Sequence, residues 1–127
     1  MVQGLEHIAL ASPDPEKLAD WYVECLGFTI YSKSPASKTT FVRAPNGAYL
    51  EIVKSNETPR PPQELRDVGI RHLAIAVSDF DAVYDALKDR GVAFISEPET
   101  AKGNRLVFFT DPDGNYLHLI QRDKPLG

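Results

Sequence analysis

The sequence predicts an α+β fold of two tandem βαβββ modules forming curved mixed sheets. Three observations carry this: an internal repeat, a helix signature between strand signals in each half, and a tight hairpin turn before each half's last strand. Residues 4–11, GLEHIALA, match 69–76, GIRHLAIA, and residues 45–52, PNGAYLEI, match 112–119, PDGNYLHL. Between these, Leu26-Gly27-Phe28 corresponds to Arg90-Gly91-Val92. The offsets are 65, 64 and 67 residues, so three ordered matches recur at nearly one spacing, the mark of a duplicated unit. Module one is assigned to 4–54, a connector to 55–68 and module two to 69–122, the whole forming a single domain over 1–127.

The first strand runs through Leu5–Leu10 with alternating side chains. Asp14 then caps a helix with Pro15 at its first position, where a missing N–H costs nothing, and Gly27 ends it. Leu18, Trp21, Tyr22 and Cys25 recur at helical spacing and form its buried stripe. Strands follow near 29–32, 38–44 and 48–54. In the second module a helix extends from about Phe80 to Arg90, capped by Ser78 or Asp79 and stopped by Gly91. Val83, Ala86 and Leu87 face inward from it, and strands follow near 93–97, 105–110 and 116–122. Pro45-Asn46-Gly47 and Asp111-Pro112-Asp113-Gly114 are hairpin turns in which glycine supplies the positive φ. The connector carries Pro59, Pro61 and Pro62, which stiffen it as a spacer rather than mark a peptide-binding motif.

With 127 residues the chain can bury a core without disulfides, and its single cysteine, Cys25, excludes an intrachain one. In its apolar register Cys25 reads as a buried structural residue rather than a nucleophile. The net charge of −4, without a basic stripe, argues against nucleic acid, and no basic cluster suggests a membrane surface. The apolar stretches are strand-sized, and the N-terminus lacks the pattern of a secretory signal, so a cytoplasmic location is expected.

Alternation along the strands places the chemistry. Leu5, His7 and Ala9 share one face of the first strand, and Tyr49, Glu51 and Val53 one face of the fourth. The second module repeats this with His72, Ala74 and Ala76, and with Tyr116, His118 and Ile120. The large aliphatics fall on the opposite face, the one a helix would cover. The chain's three histidines all lie at equivalent positions, and Glu51 takes the fourth. A buried carboxylate costs several kcal/mol unless paired or metal-bound. One divalent ion held by His7, Glu51, His72 and His118 in a cleft between the sheets resolves that cost and uses the imidazoles. Three nitrogens and one carboxylate oxygen suit Zn, Fe, Ni, Co or Mn better than Ca or Mg.

These modules, with ligands on the first and last strand of each, resemble the vicinal oxygen chelate superfamily: glyoxalase I, methylmalonyl-CoA epimerase, extradiol dioxygenases, and fosfomycin and bleomycin resistance proteins. The resemblance covers nearly the whole chain through Leu5-Glu6-His7, Trp21-Tyr22, Leu26-Gly27-Phe28, Tyr49-Leu50-Glu51, Arg71-His72-Leu73 and the run from Asp111 to His118. It implies metal ligation at His7, Glu51, His72 and the position of His118. That last position is usually glutamate in glyoxalases and extradiol dioxygenases. Histidine there leaves the bare site about one charge unit more positive, favouring a chelating, anionic substrate. Glu24 stands where a cation would better suit glutathione, which counts against a strict glyoxalase I assignment.

The leading expectation is a divalent-metal-dependent, glyoxalase-like lyase or isomerase whose small-molecule substrate chelates the ion through vicinal oxygens. Glu51 or His118 would serve as the base. The alternatives are an Fe(II)-dependent extradiol-type dioxygenase, with Glu51 completing a facial triad with His7 and His72, and a non-catalytic drug-binding resistance protein. The resemblance also implies a homodimer. Arg43, Lys102 and Arg105 could meet an anion, though such cations are usually just solvated, and Tyr49 and Tyr116 read as cavity packing on the ligand face.

Overall fold

Cap chemistry and strand alternation build the first unit as the sequence predicts. A computed structural model describes residues 1–126 and separates them into two compact units, one spanning Met1–Arg60 and the other beginning at Pro61. The first contains β1 (His7–Ser12), α1 (Pro15–Leu26), β2 (Thr29–Ser34), β3 (Thr39–Arg43) and β4 (Tyr49–Lys54). Its sheet order is β1-β4-β3-β2, with β1 parallel to β4 and the remaining pairs antiparallel. The Asp14 carboxylate accepts the Lys17 N–H at 3.1 Å, and Gly27 closes the helix in the left-handed region at φ 72°. Leu18, Ala19 and Tyr22 of α1 are buried, as are Val42, Leu50 and Ile52 of the sheet it packs on. Cys25 is half-buried.

The second unit contains β5 (Leu73–Ala76), α2 (Phe80–Asp89), β6 (Ala93–Phe94), β7 (Glu99–Ala101), β8 (Asn104–Thr110) and β9 (Tyr116–Gln121). The order β5-β9-β8-β6 repeats the first sheet, with β5 parallel to β9. Asp79 rather than Ser78 caps α2, accepting the Ala82 N–H at 3.2 Å. The core gathers Phe80, Leu87, Val107, Phe109, Leu117 and Leu119, all at or below 1% exposure.

Three details differ from the sequence reading. The single strand expected over 93–97 is the short β6, followed by an unanticipated β7 that pairs with β8. The Ser96 hydroxyl accepts the Phe108 N–H at 3.0 Å, and Pro98 offers no N–H, so the ladder is interrupted between them. Ala86 is exposed rather than inward. Leu87 is buried as expected, and Phe80, seven residues earlier on the same face, is buried with it, because aromatic and leucyl side chains remove far more apolar area than a methyl. Finally, both first strands start later than expected: β1 at His7, leaving Leu5 outside it, and β5 at Leu73, leaving His72 just ahead. Among the described residues no helix is long and apolar enough to cross a membrane.

Candidate metal centre

The four expected ligands come together as two pairs, one in each unit, by the same strand construction. In the first unit Glu51 is flanked across the sheet by Ala9 and Phe41, and His7 lies two residues before Ala9 on the same face. In the second, His118 is flanked by Ala74 and Phe108, and His72 lies two residues before Ala74. The small alanine leaves the space above the row open on one side, and the phenylalanine closes the other. Each first histidine meets that ring edge-on, His7 with Phe41 at 5.6 Å and 76°, and His72 with Phe108 at 5.6 Å and 85°.

Geometry in the first pair has a chemical consequence. His7 Nδ1 lies 3.0 Å from Glu6 Oε1, a hydrogen bond in which the ring nitrogen donates. In the neutral ring this leaves the lone pair on Nε2, which lies 3.6 Å from Glu51 Oε1. Two lone-pair atoms facing each other at that range repel unless a proton or a cation sits between them. Two ligands each about 2.1 Å from one tetrahedral ion lie about 3.4 Å apart, close to the spacing observed. A carboxylate holding the other ring nitrogen of a ligating histidine is a common outer support of metal sites. The donor atoms of this pair therefore fit an ion.

In the second pair the two rings differ in exposure, His72 being exposed and His118 buried. His72 and His118 stack with ring centroids 4.3 Å apart and a 42° tilt, and His118 is only 8% exposed. Its Nδ1 is buried with no hydrogen-bond partner. An unsatisfied buried polar atom costs about 1–3 kcal/mol, so this nitrogen is either strained or awaits a ligand. Burial, assisted by the neighbouring His72 and Arg122, lowers the His118 pKa from 6.5 to about 4. The ring is thereby held in the neutral form that can ligate.

The turn before β9 fixes where His118 stands. The Asp111 carboxylate, 3% exposed, accepts from the Asp113 and Asn115 backbone N–H groups at 3.0 Å each and from the Asn115 side chain at 2.7 Å. Gly114 at φ 83° then donates to the Asp111 carbonyl at 3.0 Å. Pro45-Asn46-Gly47 performs the equivalent turn before β4, with Gly47 at φ 96°.

Among the described residues, no set of three or more His, Cys, Asp or Glu side chains is placed to hold an ion. Three further residues belong to the arrangement beyond the expected ligands: Phe41, Phe108 and the supporting Glu6. The phenylalanines lie 67 residues apart, the same offset as Glu51 and His118, and strand alternation puts them on the ligand face; that spacing was the available signal. Arg105 is drawn to the helix side, 2.6 Å from Asp81 Oδ1 and over the Phe80 ring. The Tyr116 hydroxyl donates to the Gln63 carbonyl at 2.8 Å.

The family model described as Glyoxalase/Bleomycin resistance protein/Dioxygenase superfamily matches residues 4–119. The chain is 32% identical to the Escherichia coli protein YaeR, covering 95% of this chain and 98% of that one. A probable lactoylglutathione lyase of Synechocystis is 28% identical, covering 92% and 94%. Among solved structures, TnmS3, an antibiotic binding protein from Streptomyces, is 30% identical with a TM-score of 0.72, covering 97% of this chain and all of that one (100%).

Proposed function

We propose, for a chain that belongs to the Glyoxalase/Bleomycin resistance protein/Dioxygenase superfamily, a divalent-metal-dependent lyase or isomerase acting on a small substrate that presents two vicinal oxygens. The observation that carries this reading is the facing of His7 Nε2 and Glu51 Oε1 across 3.6 Å. The unpartnered Nδ1 of His118 supports it from the other module. His7, Glu51, His72 and His118 would hold the ion. Zn, Fe, Ni, Co and Mn all suit that donor set. When bound, the ion polarises the substrate's two oxygens and makes the adjacent C–H more acidic.

The chain's own residues then handle the proton. Glu51, with its side chain 27% exposed, is the reachable carboxylate on the open face. It takes the proton from the carbon beside the carbonyl and returns it to the neighbouring carbon, so the net change is a proton shift without an external oxidant. Glu6 keeps the His7 ring in one orientation during this step. His118, buried and neutral, acts as a fixed donor of electron density. Glu51→Gln keeps the shape and removes the base. Turnover is expected to be abolished, with the circular dichroism spectrum unchanged and metal retained in at least part of the protein. Full turnover in that variant with metal bound would refute the proton-transfer role.

A binding protein without turnover is the second reading, favoured by the 30% identity to TnmS3 over nearly the whole chain. It predicts ligand binding that is indifferent to metal and to Glu51→Gln.

A further inference from the structure

The first unit carries a cleft of about 340 Å³ lined by Glu6, His7, Tyr31, Ser32, Phe41 and Tyr49. Two vicinal oxygens at its His7 end would fill little of it. The volume is at the lower end of the 300–1,000 Å³ or so found for sites that enclose drug-sized ligands.

Three of its lining residues are aromatic, and one is placed by a local irregularity. The β2–β3 register passes from Ile30 opposite Val42 directly to Ser32 opposite Phe41, so Tyr31 is the extra residue of a β-bulge. Bulges beside functional sites re-aim a side chain that regular pairing would send elsewhere. Here the Tyr31 ring meets Tyr49 edge-on, at 5.1 Å and 80°. Tyr31 is nonetheless 64% exposed, so most of its ring is free to contact a ligand. Phe41 occupies the position beside Glu51 and abuts the His7 ring. In the second unit the strand after the helix is the two-residue β6, followed by Ile95, so no tyrosine is offered at the corresponding place.

We infer that the substrate carries an aromatic ring on its oxygen-chelating group, and that Tyr31, Phe41 and Tyr49 receive that ring. The inference rests on the metal reading for the position of the chelating group, and on the cleft alone for the ring. Aromatic pairs prefer edge-to-face or offset contact, and the Tyr31–Tyr49 corner offers both an edge and a face. His7 belongs both to the pair with Glu51 and to the cleft wall, so a chelating head at that pair would place a ring attached to it beside the cleft.

Mandelate and lactate test this, because they share a hydroxy-carboxylate head and differ in phenyl against methyl. Their affinities are measured by titration calorimetry on the full chain, zinc-loaded and chelator-treated, for the unaltered protein, Tyr31→Ala and Tyr31→Phe. Mandelate is expected to bind about tenfold tighter than lactate, the order of effect that ring burial against aromatic side chains gives. Tyr31→Ala should remove most of that ratio and Tyr31→Phe should keep it. Equal affinities, no mandelate binding in either condition, or a ratio untouched by Tyr31→Ala would overturn the proposal. The two readings fail separately. If only the metal reading is wrong, zinc changes neither affinity while the ratio persists. If only the ring reading is wrong, both affinities depend on zinc and the ratio is one.

Discussion

His118 condenses the chemistry of the candidate site into one side chain. Its ring is held neutral by burial, with the pKa lowered from 6.5 to about 4. Above pH 6.5 the imidazole is neutral folded or unfolded and contributes no pH dependence. As pH falls from 6.5 towards 4 the unfolded chain takes up a proton that the folded chain refuses, so stability is lost across that window. For chelator-treated protein the loss from this group is up to about 3 kcal/mol. Denaturant midpoints at pH 7 and pH 4.5 measure it, and His118→Gln should shrink the difference; an unchanged difference would mean that other groups carry it. At this scale the sequence was informative about identity and face. It said nothing of the environment: the tautomer of His7 depends on where the Glu6 side chain turns. The orphaned nitrogen of His118 depends on packing against Phe108, 5.1 Å away between ring centroids. Neither is encoded in a local pattern.

At the scale of elements, turns and caps were legible because each rests on a residue with one conformational job. Asp14, Pro15 and Gly27 bracket α1 where expected, and the turn from Asp111 to Asn115 launches the strand bearing His118. Its carboxylate satisfies several buried or half-buried donors at once. Asp111→Ala is therefore expected to cost about 3 kcal/mol, from lost charge-assisted hydrogen bonds and the donors left unpaired. Chemical denaturation reads that directly, and a cost below about 0.5 kcal/mol would show that the turn holds without the side chain. What local patterns missed was tertiary. Glu99–Ala101 has no alternating apolar run to announce a strand and forms one by pairing with β8. The bulge at Tyr31 likewise arises from how β2 meets β3, which a propensity cannot report.

For the whole molecule, the duplicated unit explains both the fold and the division of the ligands. Each module makes the same row, alanine and phenylalanine flanking Glu51 in one and His118 in the other, and in the proposed site each would contribute two donors. Large apolar side chains stand exposed beside the first histidine of each unit: Leu5 at 93%, and Val68 and Ile70 at 103% and 83%. Leu5 and Ile70 occupy the same position of the repeat, two residues before His7 and His72. Exposed apolar groups of this kind mark interaction surfaces, and they offer a place for the homodimer that the family resemblance implies. Sedimentation equilibrium should return twice the chain mass, and Leu5→Asp with Ile70→Asp should return it to one; a monomer in the unaltered protein would remove the second copy from the account.

The proposed site has the two pairs serve one ion, and metal stoichiometry tests that proposal most directly. Elemental analysis and zinc titration of the intact protein should give one ion per chain. Glu51→Ala, from the first pair, and His118→Ala, from the second, should each reduce affinity by several orders of magnitude. Failure to bind any divalent transition metal, or binding that survives the loss of either pair, would contradict it.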